Sequence, residues 1–117
     1  MGASVLIVDD HSGFRTQARR LLESEGYRVV GEAGDAASAV EAARALEPEL
    51  ALVDVYLPDE DGFELTSLLA GLATPPAVIL TSSHDPAELA GCVAESGARG
   101  FVPKTDLSRA AIEALLR

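Results

Sequence analysis

The sequence predicts an α/β fold in which helices cover both faces of one parallel, doubly wound sheet. Short apolar runs, rich in β-branched residues, alternate five times with stretches in which apolar residues recur at helical spacing. The connections between them are short, and this alternation is typical of parallel strands joined by crossover helices. The chain has 117 residues, of which 48% are apolar and only 4% aromatic, so it is long enough for one domain with an aliphatic core.

Five apolar runs are the predicted strands, and they lie at residues 4–8, 27–33, 51–54, 77–80 and 100–102. The first, third and fourth runs are the most continuously apolar, which is typical of strands buried on both faces of a sheet. The second run alternates enough to predict an outer strand. Right-handed crossovers then favour the strand order 2-1-3-4-5, which is the flavodoxin-like (βα)5 arrangement.

A helical pattern follows each strand, and capping or breaking residues mark the helix ends. In chain order these signals are Gly26 after the first helix, Asp35 before and Pro48 after the second, Asp61-Gly62 before and Pro75-Pro76 after the third, Asp85-Pro86-Ala87-Glu88 before and Gly97 after the fourth, and Asp106 near the start of the fifth. The fifth helix is predicted to carry Leu107 on its apolar face.

The charge balance and the apolar pattern exclude several classes of function. The chain has 19 acidic and 9 basic residues and a formal net charge of −10, so we expect no direct nucleic-acid binding by this domain. We recognise no membrane-spanning run and no signal peptide, and the single cysteine cannot form an internal disulfide. We expect a cytoplasmic domain that occupies residues 1–117, with no output domain in this chain.

Polar residues collect where the predicted strands end. Asp9 and Asp10 follow the first strand, Asp54 ends the third, Thr81 ends the fourth and Lys104 follows the fifth. The carboxyl ends of parallel strands meet at one edge, and ligands bind there at the switch point of the strand order, here between strands 1 and 3. We therefore expect these five side chains to form one site.

The residue types at this edge predict phosphoryl transfer. Three carboxylates in one crevice repel each other unless a cation is present, and oxygen-only ligands favour Mg²⁺. A carboxylate can act as a nucleophile and form an aspartyl phosphate. Mg²⁺ and the Lys104 ammonium would then neutralise the phosphoryl oxygens, and the Thr81 hydroxyl would donate a hydrogen bond to them. We interpret Asp54, whose strand is otherwise apolar, as the phosphoryl acceptor.

Each polar residue also has a structural interpretation when it is taken singly. Asp9-Asp10 could cap the first helix, Thr81 could be an ordinary turn hydroxyl, and Lys104 could be a solvated surface charge. Their joint occurrence at strand ends favours a functional site. His11 and His84 lie in loops near this edge without metal-ligand spacing, so we interpret both as loop residues.

Four stretches together resemble one family. They read VLIVDDHSGFR at residues 5–15, DVYLPDEDGFEL at 54–65, TSS at 81–83 and GFVPK at 100–104. With these stretches the chain resembles, over nearly its whole length, the receiver domain of bacterial two-component response regulators, the CheY-like superfamily. The first stretch is most similar to receivers of NarL/LuxR-type regulators, which carry a C-terminal helix-turn-helix.

The resemblance implies a role for each residue of the site. Asp54 would accept a phosphoryl group from the phosphohistidine of a sensor histidine kinase. Asp10, Asp54 and the backbone carbonyl of Tyr56 would hold Mg²⁺ directly, and Asp9 would act through a metal-bound water. Lys104 would pair with Asp54 at rest and with the phosphoryl group afterwards.

The resemblance also implies a conformational switch. Thr81 would move to hydrogen-bond the phosphoryl group, and Phe101 would turn inward into the space that Thr81 vacates. Tyr56 and Ser83 occupy the positions that tune hydrolysis of the aspartyl phosphate in the family. Many receivers have proline directly after the lysine, with a cis peptide bond between them. Thr105 stands there in this chain, so the sequence leaves the geometry of that bond open.

The implied function is a signalling module that controls an output, here transcription, and catalyses only its own phosphorylation and autodephosphorylation. Its partners would be the kinase, a DNA-binding output domain absent from this chain or a partner protein, and a second copy in a homodimer. Two alternatives stay open. Phosphatases of the haloacid-dehalogenase type carry a second acid two residues after the nucleophile, where Tyr56 stands here. A stand-alone receiver, or an interaction module that works without phosphorylation, is the other alternative.

Overall fold

The computed structural model describes residues 2–83 and 90–116 and has the predicted five-stranded parallel sheet. The strands lie in the order β2-β1-β3-β4-β5, and every neighbouring pair is parallel, which confirms the predicted topology. The elements are β1 (Ser4–Val8), α1 (Ser12–Ser24), β2 (Arg28–Ala33), α2 (Ala36–Leu46), β3 (Leu50–Asp54), α3 (Gly62–Ala70), β4 (Ala77–Ser82), α4 (Ala90–Ser96), β5 (Gly100–Pro103) and α5 (Arg109–Leu116).

Two aliphatic clusters, one on each face of the sheet, form the core. Strand side chains alternate between the faces, so Leu6 and Val8 of β1 join the cluster beneath α2 and α3. Val5 and Ile7 of the same strand join the cluster beneath α1 and α5. Strands β1, β3 and β4 are covered on both faces, which is why their sequences are apolar runs rather than alternating ones.

Most helix ends follow the signals in the sequence. The carboxylates of Asp35 and Asp61 accept hydrogen bonds from the backbone of the first turns of α2 and α3, at 2.8 and 2.7 Å. Gly26 follows the end of α1 with a φ of +99°, a left-handed conformation that glycine adopts without strain. The predicted start of the fourth helix, Asp85-Pro86-Ala87-Glu88, lies outside the described residues, which take up α4 at Ala90.

The last helix begins later than predicted. Residues Lys104–Asp106 form a 3₁₀ turn, and α5 begins at Arg109, so the prediction of a helix start near Asp106 is wrong. Leu107 is buried, but it lies in the connection rather than on the helix. Ser108 is the residue that caps α5, because its Oγ accepts a hydrogen bond from the backbone N–H of Ala111 at 3.1 Å.

The loop after β3 is held tightly against the sheet edge. A Cβ added to Gly62 would lie 2.5 Å from the Asp54 carbonyl oxygen and 2.8 Å from Val55 Cα, so only glycine lets α3 start this close to β3. Gly62 N also donates to the Val55 carbonyl at 2.7 Å. Within the loop, Asp59 accepts from the first two backbone N–H groups of α2, at 2.8 and 3.1 Å, and fastens the loop to that helix.

None of the helices in the two described ranges combines the length and the hydropathy needed to cross a bilayer.

Candidate functional site

The structure brings the predicted residues together at the carboxyl edge of the sheet. Asp54 is the last residue of β3, and it is paired in register with Thr81 of the neighbouring strand. Its side chain is only 6% exposed, and that of Asp9, just beyond β1, is fully buried. The side chain of Asp10 is 38% exposed. The site therefore contains two buried carboxylates and one carboxylate open to solvent.

Lys104 links the two buried carboxylates. Its Nζ lies 2.7 Å from Asp9 Oδ2 and 3.1 Å from Asp54 Oδ2, and the side chain is 15% exposed. The ammonium also stands 4.4 Å from the centroid of the Phe14 ring in α1, a cation–π distance. Burial lowers the pKa of Lys104, but its hydrogen bonds to Asp9 and Asp54 and their charges outweigh burial, so that pKa is raised. Sequence reasoning placed Lys104 beside Asp54 but missed its shorter contact with Asp9.

Asp54 is electrostatically strained in this environment. Burial raises the pKa of the Asp54 carboxyl, and repulsion from Asp9 raises it further. The hydrogen bond that the Tyr56 N–H donates to Asp54 Oδ1 at 3.0 Å and the nearby Lys104 ammonium oppose this rise without cancelling it. An additional cation or an electrophile at Asp54 would therefore relieve an unfavourable charge.

The loop between β1 and α1 does not use its acids as conventional caps. The residue at the helix N-terminus is His11, whose side chain makes no capping hydrogen bond. Asp9 Oδ1 accepts from the His11 backbone N–H at 2.9 Å, and the Asp9 carbonyl accepts from Arg15 Nη1 at 2.6 Å. Asp10 is thereby left facing the site and solvent, so the capping alternative for these acids is not what the structure shows.

His11 is the site residue that sequence reasoning missed. Its Nδ1 lies 3.1 Å from Asp10 Oδ1 and 3.3 Å from Asp9 Oδ1, so it is a neighbour of the acids and not merely a loop residue. Ligand atoms of Asp9, Asp10, His11 and Asp54 all lie within 4.8 Å of one another. The DDH sequence was the available signal, but spacing alone does not tell where an imidazole points.

Thr81 carries a buried hydroxyl without a partner among the described residues. It is fully buried, and its Oγ1 makes no hydrogen bond within that part of the chain. Such a group costs free energy unless a ligand or another state of the molecule uses it. Tyr56 and Ser83 are both exposed at the rim of the site. Phe101 in β5 is half-buried and packs against the core beneath α2 and α3.

The peptide bond between Lys104 and Thr105 is trans, as are the other peptide bonds of the described residues.

The donor set fits a divalent cation with oxygen ligands. With its carboxylates ionised and Lys104 charged, the site keeps two formal negative charges from Asp9, Asp10 and Asp54. Mg²⁺ is bound in proteins by one or two carboxylates together with waters and phosphate oxygens. The half-exposed Asp10 and the rim position of Tyr56 leave one side of the site open for these additional ligands.

Comparison with known proteins assigns a family to this arrangement. The family model of the response regulator receiver domain matches residues 5–116. The transcriptional regulatory protein PdtaR of Mycobacterium tuberculosis is 38% identical over 102 residues, which are 86% of this chain and 48% of that protein. The chain spans about half the length of the curated relatives it matches.

Two solved structures are similar over almost the whole chain. The signal receiver domain of the response regulator NarL from Mycobacterium tuberculosis has a TM-score of 0.86 at 32% identity, covering 98% of this chain and 97% of that one. A LuxR-family two-component response regulator from Aurantimonas sp. SI85-9A1 has a TM-score of 0.88 at 30% identity, covering 99% of this chain and 86% of that one. Both of these similar structures belong to NarL/LuxR-type response regulators, the group that the opening motif predicted.

Proposed function

Because the chain belongs to the response regulator receiver domain family, we propose that it is a phosphorylation switch with Asp54 as the phosphoryl acceptor. One observation carries the proposal most directly. Asp54 is a nearly buried carboxylate at the end of a central strand, and Lys104 pairs with it while Asp9 repels it. A structural carboxylate would be expected to have its charge matched, whereas this one gains from reacting with an electrophile.

The proposed step is an in-line transfer of a phosphoryl group to an oxygen of Asp54. The group comes either from an oxygen of acetyl phosphate or from a nitrogen of a phosphohistidine. An Asp54 carboxylate oxygen attacks phosphorus and forms an O–P bond. The bond from phosphorus to the donor breaks at the same time, and its electron pair leaves on the imidazole nitrogen of a kinase phosphohistidine or on the acetate of acetyl phosphate. No proton is taken from Asp54, because it reacts in its ionised form.

The residues around Asp54 are proposed to stabilise the transferring group. Lys104 would pair with a phosphoryl oxygen once Asp54 is esterified, since its Nζ already lies 3.1 Å from the acceptor carboxylate. Asp10, Asp54 and the Tyr56 carbonyl would hold Mg²⁺ directly, and Asp9 through a water. When bound, Mg²⁺ supplies positive charge beside the phosphoryl oxygens.

Phosphorylation is proposed to reach the surface through Thr81 and Phe101. The Thr81 hydroxyl, which has no partner among the described residues, is a donor next to Asp54 in the sheet register, so a phosphoryl oxygen would give it an acceptor. Phe101 is half-buried one strand further out and would turn inward when Thr81 moves. Tyr56 and Ser83, at the exposed rim, would set how readily water reaches the aspartyl phosphate.

The proposed partners follow from the relatives. PdtaR and the other curated relatives are described as transcriptional regulators, and each is about twice as long as the matched region. We therefore place the chain downstream of a sensor histidine kinase, with a DNA-binding output domain as the element that it controls and a second copy as a dimer partner. Its chemistry would be limited to its own phosphorylation and slow autodephosphorylation.

Acetyl phosphate and Mg²⁺ provide the direct test of the acceptor. The wild-type chain should gain one phosphoryl group, detected by intact mass and on a phosphate-affinity gel. Asp54→Asn should gain none, and EDTA should abolish uptake by the wild type. Asp106→Asn, which changes an exposed aspartate outside the site, is the matched control and should be phosphorylated like the wild type.

Phosphoryl uptake that persists in Asp54→Asn would show that another residue is the acceptor. If neither acetyl phosphate nor a phosphorylated histidine kinase modifies the wild type, and beryllofluoride does not bind, the phosphorylation-independent interaction module becomes the better account.

A further inference from the structure

We infer that His11 is a nitrogen ligand of the divalent cation, so that this site prefers a transition-metal ion of the Mn²⁺ class over Mg²⁺. The inference rests on the proposed function, because it concerns the same metal site. Its basis is the position of the imidazole: Nδ1 lies 3.1 Å from Asp10 Oδ1, on the open side of the carboxylate group. No ligand of the metal other than oxygen was expected from the sequence.

The separation of the two donor atoms fits shared coordination. Two ligands that occupy adjacent corners of an octahedral ion at about 2.1 Å lie about 3.0 Å apart. Nδ1 of His11 and Oδ1 of Asp10 have nearly this spacing, and one of the two imidazole nitrogens lies within 4.8 Å of a ligand oxygen of Asp54. A single ion could therefore contact the imidazole and Asp10 as they stand, and small side-chain movements would bring in Asp54, because two ligands of one ion at about 2.1 Å lie at most about 4.2 Å apart.

The backbone fixes His11 in this place. Its N–H donates to Asp9 Oδ1 at 2.9 Å, and its carbonyl accepts from the Arg15 N–H at 3.1 Å in the first turn of α1. Arg15 Nη1 in turn holds the Asp9 carbonyl at 2.6 Å. The imidazole itself is 72% exposed, and its contacts among the described residues are those with the carboxylates of Asp9 and Asp10.

A second observation shows that this edge is built for a ligand. The Thr81 hydroxyl is fully buried beside Asp54 and has no partner among the described residues, as expected of a group that hydrogen-bonds to a ligand when one is bound.

Ligand chemistry then predicts the direction of the metal preference. Mg²⁺ is a hard cation that strongly prefers oxygen, whereas imidazole is a common ligand of later divalent ions, and affinities rise along the series from Mn²⁺ to Cu²⁺. A nitrogen donor at His11 therefore strengthens binding of Mn²⁺ more than binding of Mg²⁺. The competing account is an ordinary surface ion pair between His11 and the acids, which would not distinguish the two metals in this way.

Pulsed electron paramagnetic resonance of the one-to-one Mn²⁺ complex tests the inference without any assay of phosphorylation. A coordinated imidazole gives a ¹⁴N modulation in the Mn²⁺ signal. The wild type should show it, His11→Ala should lose it, and His84→Ala, which removes the only other histidine, should keep it. Calorimetric titrations should show that the preference for Mn²⁺ over Mg²⁺ falls about tenfold in His11→Ala.

The outcomes separate this inference from the proposed function. Absence of ¹⁴N modulation in wild-type protein that binds Mn²⁺ overturns the role of His11, even if acetyl phosphate and Mg²⁺ still phosphorylate Asp54. A modulation that is lost in His84→Ala instead of His11→Ala overturns it as well. If the wild type binds neither metal and takes up no phosphoryl group, both the inference and the proposed function fail. Unchanged thermal unfolding of metal-free His11→Ala would exclude misfolding as the cause of a lost signal.

Discussion

Two charged clusters near the carboxyl edge of the sheet have opposite arrangements of charge. In the site, one cation, Lys104, bridges Asp9 and Asp54. In the rim cluster, which consists of Arg15, Arg19 and Glu32, one anion bridges two cations at 3.1 and 2.8 Å. The site is buried and has an excess of negative charge, whereas the rim cluster is partly exposed and its charge is balanced, because Arg19 also pairs with Glu23 at 3.6 Å.

The two central carboxylates have opposite pKa shifts. Burial raises the pKa of Asp54, whereas hydrogen bonds from Arg19 and Arg15 hold the pKa of Glu32 below its usual value of 4.5. The same functional group is thus destabilised in one cluster and satisfied in the other. Arg15 touches both clusters, because its Nε binds Glu32 and its Nη1 binds the Asp9 carbonyl. The contrast distinguishes the carboxylate that we propose as the phosphoryl acceptor from one that only stabilises the structure.

Removal of the bridging cation of the site should have the largest effect. Lys104→Met keeps most of the stem but leaves two buried carboxylates without their partner, so the free energy of unfolding without divalent metal should fall by about 3 kcal/mol. Phosphorylation by acetyl phosphate should slow about 100-fold, because Lys104 faces the developing charge. Urea unfolding in EDTA and intact-mass time courses measure the two effects.

Arg19→Met is the matched variant in the rim cluster, and it should cost only about 0.5 kcal/mol because that ion pair is partly exposed. Equal costs for the two variants would contradict the view that the two clusters differ in kind. A double variant with Asp54→Asn should reduce the cost of Lys104→Met, because one of the orphaned charges is gone.

Neutralising Asp54 should stabilise the metal-free fold at neutral pH. Between the unfolded pKa of 3.8 and the raised folded pKa, the native state keeps a proton that the unfolded chain has already released. Stability of the wild type therefore falls as pH rises through this window and stays reduced above it. Asp54→Asn lacks this penalty, so its advantage should be absent below pH 3.8, grow through the window and be complete at pH 7.

Thermal unfolding in EDTA across this pH range measures the advantage. Asp59→Asn serves as a comparison from the same loop, because the pKa of Asp59 is lowered by backbone hydrogen bonds from α2. An Asp54→Asn variant that is less stable than the wild type at pH 7 would show that the carboxylate is satisfied rather than strained.

The comparison also explains which parts of the molecule could be predicted from the sequence. Strand order and the convergence of Asp54, Thr81 and Lys104 were predictable, because apolar runs fix the strands and parallel topology fixes which ends meet. The rim cluster and His11 were not, since a side chain on a loop or helix can point in several directions. The start of α5 was misplaced by a few residues, although Ser108 is a preferred capping residue and offered a signal.

The Thr81 hydroxyl, which is unpaired within residues 2–83 and 90–116, should give a smaller effect. Thr81→Val keeps the shape and removes the buried polar group, so the unphosphorylated fold should gain about 1 kcal/mol. Beryllofluoride should stabilise this variant less than it stabilises the wild type, because the variant lacks the hydroxyl donor that the phosphoryl mimic would use. Chemical unfolding with and without beryllofluoride measures both effects. A loss of stability above 1 kcal/mol in the free protein would mean that the hydroxyl already has a partner.

The smallest effect should come from the rim cluster itself. Glu32→Gln removes the anion between Arg15 and Arg19, and an exposed network of this kind contributes only about 0.5 kcal/mol. The pKa of Glu32 is lowered on folding, so its contribution should be present above pH 4.5 and disappear as pH falls through the folded pKa. This pH dependence is opposite in sign to that of Asp54, and chemical unfolding at pH 3.5 and pH 7 measures it.

Salt distinguishes the two clusters once more. Added NaCl at 1 M should abolish the loss of stability in Glu32→Gln. At that concentration the Debye length is only about 3 Å, and the rim cluster is open to solvent. The cost of Lys104→Met should largely persist, because Asp9 is fully buried and salt does not reach its carboxylate. If salt rescued both variants equally, burial would not be what separates the proposed acceptor carboxylate from the structural one.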